Sequence, residues 1–391
     1  MSDAILALNA GSSSIKFALF PHPDAPPSVR GELEERDGTV RMTAGGAGVD
    51  PSVDESWGDA GPDVRLHRLL DWVDAHSGAD ALAAVGHRVV HGGLRFRDPV
   101  LLTPDVLAQL EGLAPLAPLH QPGCLAPIHA IAAARPALPQ VGCFDTAFHA
   151  TLPEVAWRYA LPRDLDPAIR VYGFHGLSYE HVARRLRNEA PALAAGRVVA
   201  AHLGNGASLC AMQDGRSVDT TMGFSALDGL VMGTRTGALD PGVLLYLLQE
   251  KGLDASALQT LLYHRSGLLG VSGIAADVRT LAESRVPEAA EALDLFCFRA
   301  AKLMAGMAAS LGGMDGIVFT GGIGEHAPAV RAAICARLEW LGVELDPSLN
   351  ARGLGELGTP GSRVAAWVIP ADEEASIARH TAGLLDMRTA E

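Results

Sequence analysis

The sequence predicts an α/β protein made of two copies of one unit, and three observations carry that expectation. The first is the segment Asn9-Ala10-Gly11-Ser12-Ser13-Ser14, set between the apolar runs Ile5–Leu8 and Ile15–Phe20. The second is a looser copy about half a chain later, where Val198–Leu203 runs into Gly204-Asn205-Gly206-Ala207-Ser208 and returns through Leu209–Met212. The third is that buried-type strands alternate with helical patterns in both halves, the signature of helices packed on a largely parallel sheet. Each small-residue turn lets the backbone come close to a ligand, and its amides and hydroxyls suit phosphate oxygens. Two such turns imply a duplicated domain that grips a polyphosphate from both sides of a cleft.

The elements follow in order. Residues 21–62 are rich in Pro, Gly, Asp and Glu, with short pieces such as Thr39–Met42, and read as edge strands and exposed loops with no chemistry. A helix over Val64–His76 leads to the strand Ala83–Val90, which ends at His91-Gly92-Gly93. A helix near Pro104–Leu113 precedes the Pro-punctuated segment Ala114–Pro122, and another helix runs to Arg135, stopped by Pro136. The strand Gln140–Phe144 delivers Asp145 at its end. In the second half come the hairpin Arg197–Met212, a short strand at Ser217–Thr220 and helices over 240–311. The strand Gly316–Thr320 then enters Gly321-Gly322-Ile323-Gly324-Glu325, and a helix follows with Pro328 near its start. The strand Val364–Ile369 ends at Pro370–Glu374, ahead of a terminal helix. The expected domains are 1–148 completed by 374–391, and 149–373.

Bulk properties exclude several classes. With 391 residues, 48% apolar and 19% charged, the chain needs no disulfide or metal to fold. The net charge of −14 argues against a nucleic-acid surface, which needs clustered Lys and Arg. Five scattered cysteines without a C-x-x-C pair read as reduced thiols. The most apolar long stretch, Leu295–Leu311, carries Arg299 and Lys302 and reads as a core helix rather than a membrane span. No basic leader precedes the first strand, so a cytoplasmic protein is expected.

Neither a Walker A sequence nor a complete G-x-G-x-x-G is present. Three serines beside Asn9 and Lys16 supply more donors than a hairpin needs, which favours phosphate contact there. The histidines lack an H-E-x-x-H helix, and Val89-Val90 between His87 and His91 implies a strand, which weakens a zinc reading. A histidine can instead donate to a transferring phosphoryl group. His175, within Tyr172-Gly173-Phe174-His175-Gly176, is the best candidate because glycines open access to it. Arg88 and Arg235, the latter in the glycine-bounded loop Met232–Gly237, would fork onto carboxylate or phosphate oxygens. Asp145 and Glu373, at strand ends in the two halves, could position magnesium directly or through its waters, although helix capping is the rival reading for Asp372 and Glu374.

These residues resemble the acetate kinase family, the acetokinases of the actin, Hsp70 and sugar-kinase superfamily. The likeness runs nearly end to end, through Asn9–Lys16, Gly86–Gly93, Pro118–Pro122, Phe144–His149, Tyr172–Ser178, His202–Ser208, Ser217–Pro241, Phe319–His326 and Ile369–Glu374. It implies two ribonuclease H-like (actin-like ATPase) domains of βββαβαβα order, the first completed by the C-terminal helix, and a homodimer. It also implies reversible Mg²⁺- or Mn²⁺-dependent transfer of phosphate from ATP to acetate, giving acetyl phosphate and ADP. By the same resemblance Asn9 and Glu373 organise the metal, while Lys16, Ser12 and Ser14 face phosphates. Arg88 holds the carboxylate or acyl phosphate, and Arg235, His175 and His120 surround the transferring group. Asp145 matches the family's essential aspartate. His202, Leu203, Gly204, Asn205 and Gly206 form a second phosphate loop. Asp277, Val278, Arg279, Gly322, Ile323, Gly324, Glu325 and His326 face the nucleotide. Val90, Leu119, Phe174 and Ala226 line the acyl pocket.

The chemistry is consistent with these roles. A carboxylate nucleophile is already ionised at pH 7, so alignment and charge stabilisation suffice and direct in-line transfer is expected. The chain departs from the family pattern at Gln121, Ala238, Ala371-Asp372 and, most consequentially, Ala226, where many members carry proline. The smaller residue leaves room for one more methylene, so some activity on propionate is expected. Rival readings are a kinase for propionate or another short acid, a sugar or polyol kinase, and a nucleotide-gated module like actin or Hsp70. The sugar reading needs an acidic base and a larger polar pocket, which Arg88 beside an apolar lining does not supply.

Overall fold

The computed structural model describes residues 4–11, 14–36, 38–46, 49–58, 61–76 and 82–387. Ser12 and Ser13, expected in the first turn, lie outside the described residues. The chain divides into unit 1, Met1–Ala147 with Asp372–Glu391, and unit 2, Phe148–Ala371.

Unit 1 holds strands β1 (Ala4–Ala10), β2 (Ser14–Phe20), β3 (Val29–Arg36), β4 (Thr39–Gly46), β5 (Val49–Gly58), β6 (Leu82–Val89), β7 (Val100–Leu101) and β8 (Gln140–Phe144). They form one sheet in the order β5-β4-β3-β2-β1-β6-β8-β7, with β1, β6 and β8 parallel. Strand β1 is buried at every residue but Asn9, with no alternation, as a strand covered by helices on both faces must be. On one face Leu66, Leu69, Leu70 and Val73 of helix Pro62–His76 and Ile131 of helix Gln121–Ala134 pack on Leu6, Leu8 and Phe17. Helix Glu373–Leu384 packs against β1, β6 and β8. Gly86 of β6 permits that approach, since a Cβ there would sit 2.2 Å from Thr381 Oγ1 and 2.5 Å from Ile377 Cγ2. The segment expected to be edge strands and loops supplies β3–β5, which extend the sheet in an antiparallel ladder.

Unit 2 holds β9 (Arg197–Leu203), β10 (Ala207–Gln213), β11 (Arg216–Thr220), β12 (Gly316–Thr320), β13 (Gly355–Glu356) and β14 (Ala365–Val368). Their order is β11-β10-β9-β12-β14-β13, with β9, β12 and β14 parallel. The series β3-β2-β1-β6-β8 and β11-β10-β9-β12-β14 repeat one topology, so the duplication read from the two hairpins is present in both sheets. Tyr179, Val182 and Leu186 of helix Gly176–Glu189 pack on Val198, Ala200, Cys210 and Met212, and helix Pro287–Ser310 packs against β9, β10 and β11. The stretch Leu295–Leu311 lies almost wholly within that helix, and among the described residues no helix is long and apolar enough to cross a membrane.

One local addition concerns Gly321–Glu325, the stretch ahead of the expected helix, which itself forms the helix Gly321–His326. Gly321 starts it at φ 78°, and a Cβ there would lie 2.8 Å from the Leu203 carbonyl oxygen, so this helix begins hard against β9. All five cysteines are buried and free, as expected for small core hydrophobes.

Candidate active site

In unit 1 three neighbouring parallel strands deliver Asn9, Arg88 and Asp145 near their C-terminal ends, where open α/β sheets gather ligands. Leu8 of β1 is in register with His87 of β6, which places Asn9 beside Arg88; Arg88 is in register with Cys143, two residues before Asp145. Helix Glu373–Leu384 adds Glu373 and Glu374 from its first turn. Asp372 caps that helix, accepting from the Ala375 amide at 3.0 Å, and pairs with Arg30 at 2.5 Å. Capping was the rival reading for Asp372 and Glu374. It holds for Asp372, whereas Glu374 is buried and accepts from Asn9.

Arg88 Nε and Nη2 donate to the same oxygen of Asp145, Oδ2, at 2.9 and 2.6 Å. Its Nη1 reaches Asn9 Oδ1 at 3.4 Å, and Nε lies 3.9 Å from Glu373 Oε2. Of the five N–H protons on a guanidinium, two stay uncommitted by these bonds, enough to fork onto an incoming carboxylate. Asn9 spends its amide N–H groups on Glu373 Oε2 at 2.8 Å and Glu374 Oε1 at 3.2 Å, and so orients both carboxylates. Asp145 is fully buried, and its second oxygen, Oδ1, has no hydrogen-bond partner among the described residues.

The electrostatics follow from burial and pairing. Burial opposes the Arg88 charge, but Asp145 and Glu373 outweigh it and raise the guanidinium further above its already high range. Burial, opposed by Arg88 and reinforced by Glu373, raises the Asp145 carboxyl to about 6, so the carboxylate still prevails at pH 7. Burial and then Glu373 also raise Glu374. Arg88 thus faces two carboxyl groups, Asp145 and Glu373, an excess of acid that a cation would relieve, while Glu374 lies 3.6 Å from Arg30. Among the described residues no three His, Cys, Asp or Glu side chains form a ready metal cage. Magnesium does not need one, because it binds through one or two carboxylates, water and substrate phosphates. The unpartnered Asp145 Oδ1 and the Glu373 carboxylate fit that requirement.

Lys16 faces Asn9 across the β1–β2 pair and is exposed. Ser14 is half-buried at the start of β2, where its carbonyl accepts from the Gly11 amide at 2.8 Å. His120 precedes helix Gln121–Ala134, and Leu119 beside it is half-buried. Val90 is buried. Gln121, singled out as a departure from the family, is fully buried and clamps the His91 backbone: it accepts from His91 N at 3.1 Å and donates to His91 O at 3.2 Å.

In unit 2, His175 sits at the N-cap of helix Gly176–Glu189 in the left-handed region, φ 57°. Its Nδ1 is 2.9 Å from Ser208 Oγ, and its ring stacks on that of His202 with centroids 4.3 Å apart. His202 Nδ1 is 2.8 Å from Ser178 Oγ. Arg235 Nη1 donates to the Ala226 carbonyl at 3.0 Å. A Cβ at Gly206 would lie 3.3 Å from His175 Nε2 and 3.7 Å from Arg235 Nη1, so both tips converge on the second turn. The Arg235 loop docks there too, through Gly233 N and the Asn205 carbonyl at 3.3 Å. Leu203 ends β9 and Gly204 follows it, its amide donating to Gly206 O. Phe174 is buried and Ala226 half-buried.

The other expected nucleotide residues lie in two places. Gly322, Ile323, Gly324, Glu325 and His326 form the short helix after β12, while Val278 and Arg279 open helix Val278–Glu283. Asp277 caps that second helix, accepting from Thr280 N at 2.8 Å, which already engages its carboxylate. Sequence reasoning gave no role to Tyr179, Ser178, Thr320 or Arg331. Thr320 ends β12 with its hydroxyl buried and unpartnered among the described residues. Arg331, fully buried, holds the Gly324 and Glu325 carbonyls at 2.8 Å each, which fixes the end of the Gly321–His326 helix. Nothing in a single sequence marks an arginine as buried. The Ser208–Tyr179 pair could have been suspected only from the second turn's own serine.

Two histidines that invited a metal reading are structural. His87 Nε2 is 2.8 Å from Gln140 Oε1, and His149 bonds Ser217 Oγ and the Phe174 carbonyl at 2.8 and 2.9 Å. Burial lowers His87, His91 and His149 to about 4 each. Because the folded values lie below the ordinary 6.5, the stability these groups contribute is full above pH 6.5 and is lost as pH falls toward 4, by about 3 kcal/mol each. Asp145, raised to about 6, works in the opposite direction. The urea midpoint should therefore drop steeply between pH 6.5 and 4.5, with a net uptake of roughly two protons on unfolding. A flat midpoint over that range would show that these rings are not held neutral.

Comparison with known proteins agrees with this construction. The Acetokinase family profile matches residues 4–379. Acetate kinase from Rhodopseudomonas palustris is 52% identical over 99% of both chains, and that from Rhizobium meliloti is 45% identical over 98% of both. Among solved structures, a propionate kinase from Francisella tularensis superposes with a TM-score of 0.91 at 35% identity, covering 97% of this chain and 99% of its own. Porphyromonas gingivalis acetate kinase gives 0.87 at 35% identity, covering 98% and 100%. The two sheets are those of the acetate and propionate kinase structures, and the chain belongs to the acetokinase family.

Proposed function

We propose that this protein is an acetate kinase, moving the γ-phosphoryl group of ATP to acetate and back. An acetate oxygen bonds to the γ-phosphorus while the bond to the ADP oxygen breaks and its electron pair leaves with ADP. No proton has to move, so no general base is required. The observation that carries this reading is Arg88, anchored on one oxygen of Asp145 with two N–H protons to spare. Those protons suit the acetate carboxylate, and Val90 supplies apolar surface beside them in sequence. Asp145 and Glu373, ordered by Arg88 and Asn9, would hold Mg²⁺ or Mn²⁺. A bound divalent ion neutralises phosphate charge. In unit 2, His175 Nε2 and Arg235 would donate to phosphoryl oxygens, with His202–Gly206 as backbone donors. His120 would assist at the transferring group, and Lys16 at the phosphates.

The test is a hydroxamate-trapping assay with ATP, Mg²⁺ and, in turn, acetate, propionate, butyrate and glycerol. Acyl hydroxamate from acetate supports the reading, while phosphorylation of glycerol alone would move the protein to the sugar-kinase class. ATP turnover that ignores every acceptor would favour a nucleotide-gated module. Direct transfer is assigned over a phosphoenzyme, and trapping a phosphorylated Asp145, Glu373 or histidine would reject it.

Propionate is a second acceptor, favoured by Ala226 and by the likeness to the Francisella propionate kinase. One buried methylene is worth about 0.8 kcal/mol. Ala226→Pro should therefore lower the propionate-to-acetate ratio of kcat/KM by about fourfold. Negligible propionate activity in both forms would dismiss the pocket argument. A homodimer is proposed from helix Pro241–Gln249, which has no buried residue and exposes Val243, Leu245 and Tyr246. Sedimentation at twice the 40.8 kDa chain mass would support it, and at the single mass would reject it. Free buried thiols fit a reducing cytoplasm, and thiol titration of freshly isolated protein would show oxidised cysteines if that is wrong.

A further inference from the structure

A histidine can donate to a phosphoryl oxygen only if the nitrogen facing it carries the proton, and the residues behind His175 bear on which nitrogen that is. Ser208, on β10, is fully buried, and its Oγ lies 2.9 Å from His175 Nδ1 and 2.5 Å from the Tyr179 hydroxyl. Tyr179 is fully buried as well, and burial holds its phenol well above the ordinary value, so it keeps its proton. Either hydroxyl of the Tyr179–Ser208 pair can donate, and the tyrosine, whose phenol is the more acidic, is assigned as the donor. A serine hydroxyl has one proton of its own. Once it accepts from Tyr179, that proton points to His175 Nδ1.

The polarity of the chain then runs Tyr179 to Ser208, and Ser208 to His175 Nδ1. An Nδ1 that accepts puts the imidazole proton on Nε2. That nitrogen is the one on the Gly206 side, which Arg235 Nη1 also approaches. The stack on His202, whose own Nδ1 is tied to Ser178, fixes the plane of the ring.

We propose that Ser208, oriented by Tyr179, is a positioning residue that holds His175 in the Nε2–H tautomer, so that the imidazole donates alongside Arg235 toward a transferring phosphoryl group. Neither residue touches substrate in this scheme. The inference rests on the phosphoryl-transfer reading above, but the tautomer is measurable in the resting protein without any turnover.

The decisive experiment is a long-range ¹H–¹⁵N correlation on histidine-labelled protein without nucleotide, with His175 identified by the signal missing from His175→Ala. The expected spectrum shows an unprotonated Nδ1 and a protonated Nε2, and in Ser208→Ala a mixture of the two tautomers. A protonated Nδ1 in the wild type overturns the proposal, whatever the assay shows. Kinetically, Ser208→Ala should lower kcat by about 10- to 100-fold with both KM values nearly unchanged. In a His175→Ala background the same change should cost nothing further. An equal loss in that background would mean Ser208 serves only the fold and would reject the proposal. Tyr179→Phe, which deletes one oxygen, gives a second route: partial loss of kcat and a partly mixed tautomer are expected, and an unchanged tautomer ratio would remove Tyr179 from the chain.

Discussion

Arg88→Ala is expected to lower kcat/KM for acyl phosphate formation by about 10³-fold or more, the scale of a transition-state arginine. The same substitution should also destabilise the protein, because it strands Asp145 as a buried carboxylate. Arg88 supplies both of the hydrogen bonds to Asp145 Oδ2, and Asp145 Oδ1 has no partner among the described residues. Breaking one side of such a pair costs about 3–5 kcal/mol. With its cation gone, the Asp145 carboxyl, at about 6 now, should rise further. Folding of the variant should thus improve as pH falls, until the buried histidines take up protons. The companion Arg88→Ala/Asp145→Asn should recover much of the stability and none of the rate. Urea denaturation beside the hydroxamate assay separates the two effects. An Arg88→Ala enzyme with near-normal kcat/KM would remove the acceptor site from unit 1.

Arg235→Ala should lose about as much rate, 10³–10⁵-fold, with little change in stability. Its Nη1 is held by a backbone carbonyl, that of Ala226, which water can serve in its place. The contrast is informative because both substitutions remove one guanidinium. If Arg235 acts on the transferring phosphoryl, the loss falls on kcat with KM for acetate little changed, since a transition-state contact is absent from the ground state. A rise in acetate KM at constant kcat would instead make Arg235 a binding residue for the acceptor.

Much of the fold was legible because its signals are local. The hairpins carry their turns in sequence, Gly316–Thr320 and Gln140–Phe144 are short apolar runs, and each is a strand at those bounds. Helix ends written in side-chain chemistry were legible in the same way, as with Pro104 and Pro328 near two helix starts. The helix following Gly316–Thr320 was placed near Pro328, but a short helix already starts at Gly321, where the missing side chain lets it begin against β9. The candidate site was legible as residue types but not as partnerships. Asn9 and Glu373 are 364 residues apart, so nothing in spacing could show that one orients the other. Glu374 was read as a rival helix cap rather than as a buried partner of Asn9, since burial is a property of the packed helix. Ser208 was read as part of a phosphate turn; its side chain points back to His175 because β10 pairs with β9 in the register that sets Ser208 opposite His202.

The most direct measurement is a ³¹P NMR time course of protein, ATP and Mg²⁺ with acetate added or withheld. Growth of an acetyl phosphate resonance in step with ADP, dependent on acetate and lost in Arg235→Ala, is the expected result. ATP converted to ADP and inorganic phosphate at the same rate with or without acetate, and no acyl phosphate at any time, would contradict it.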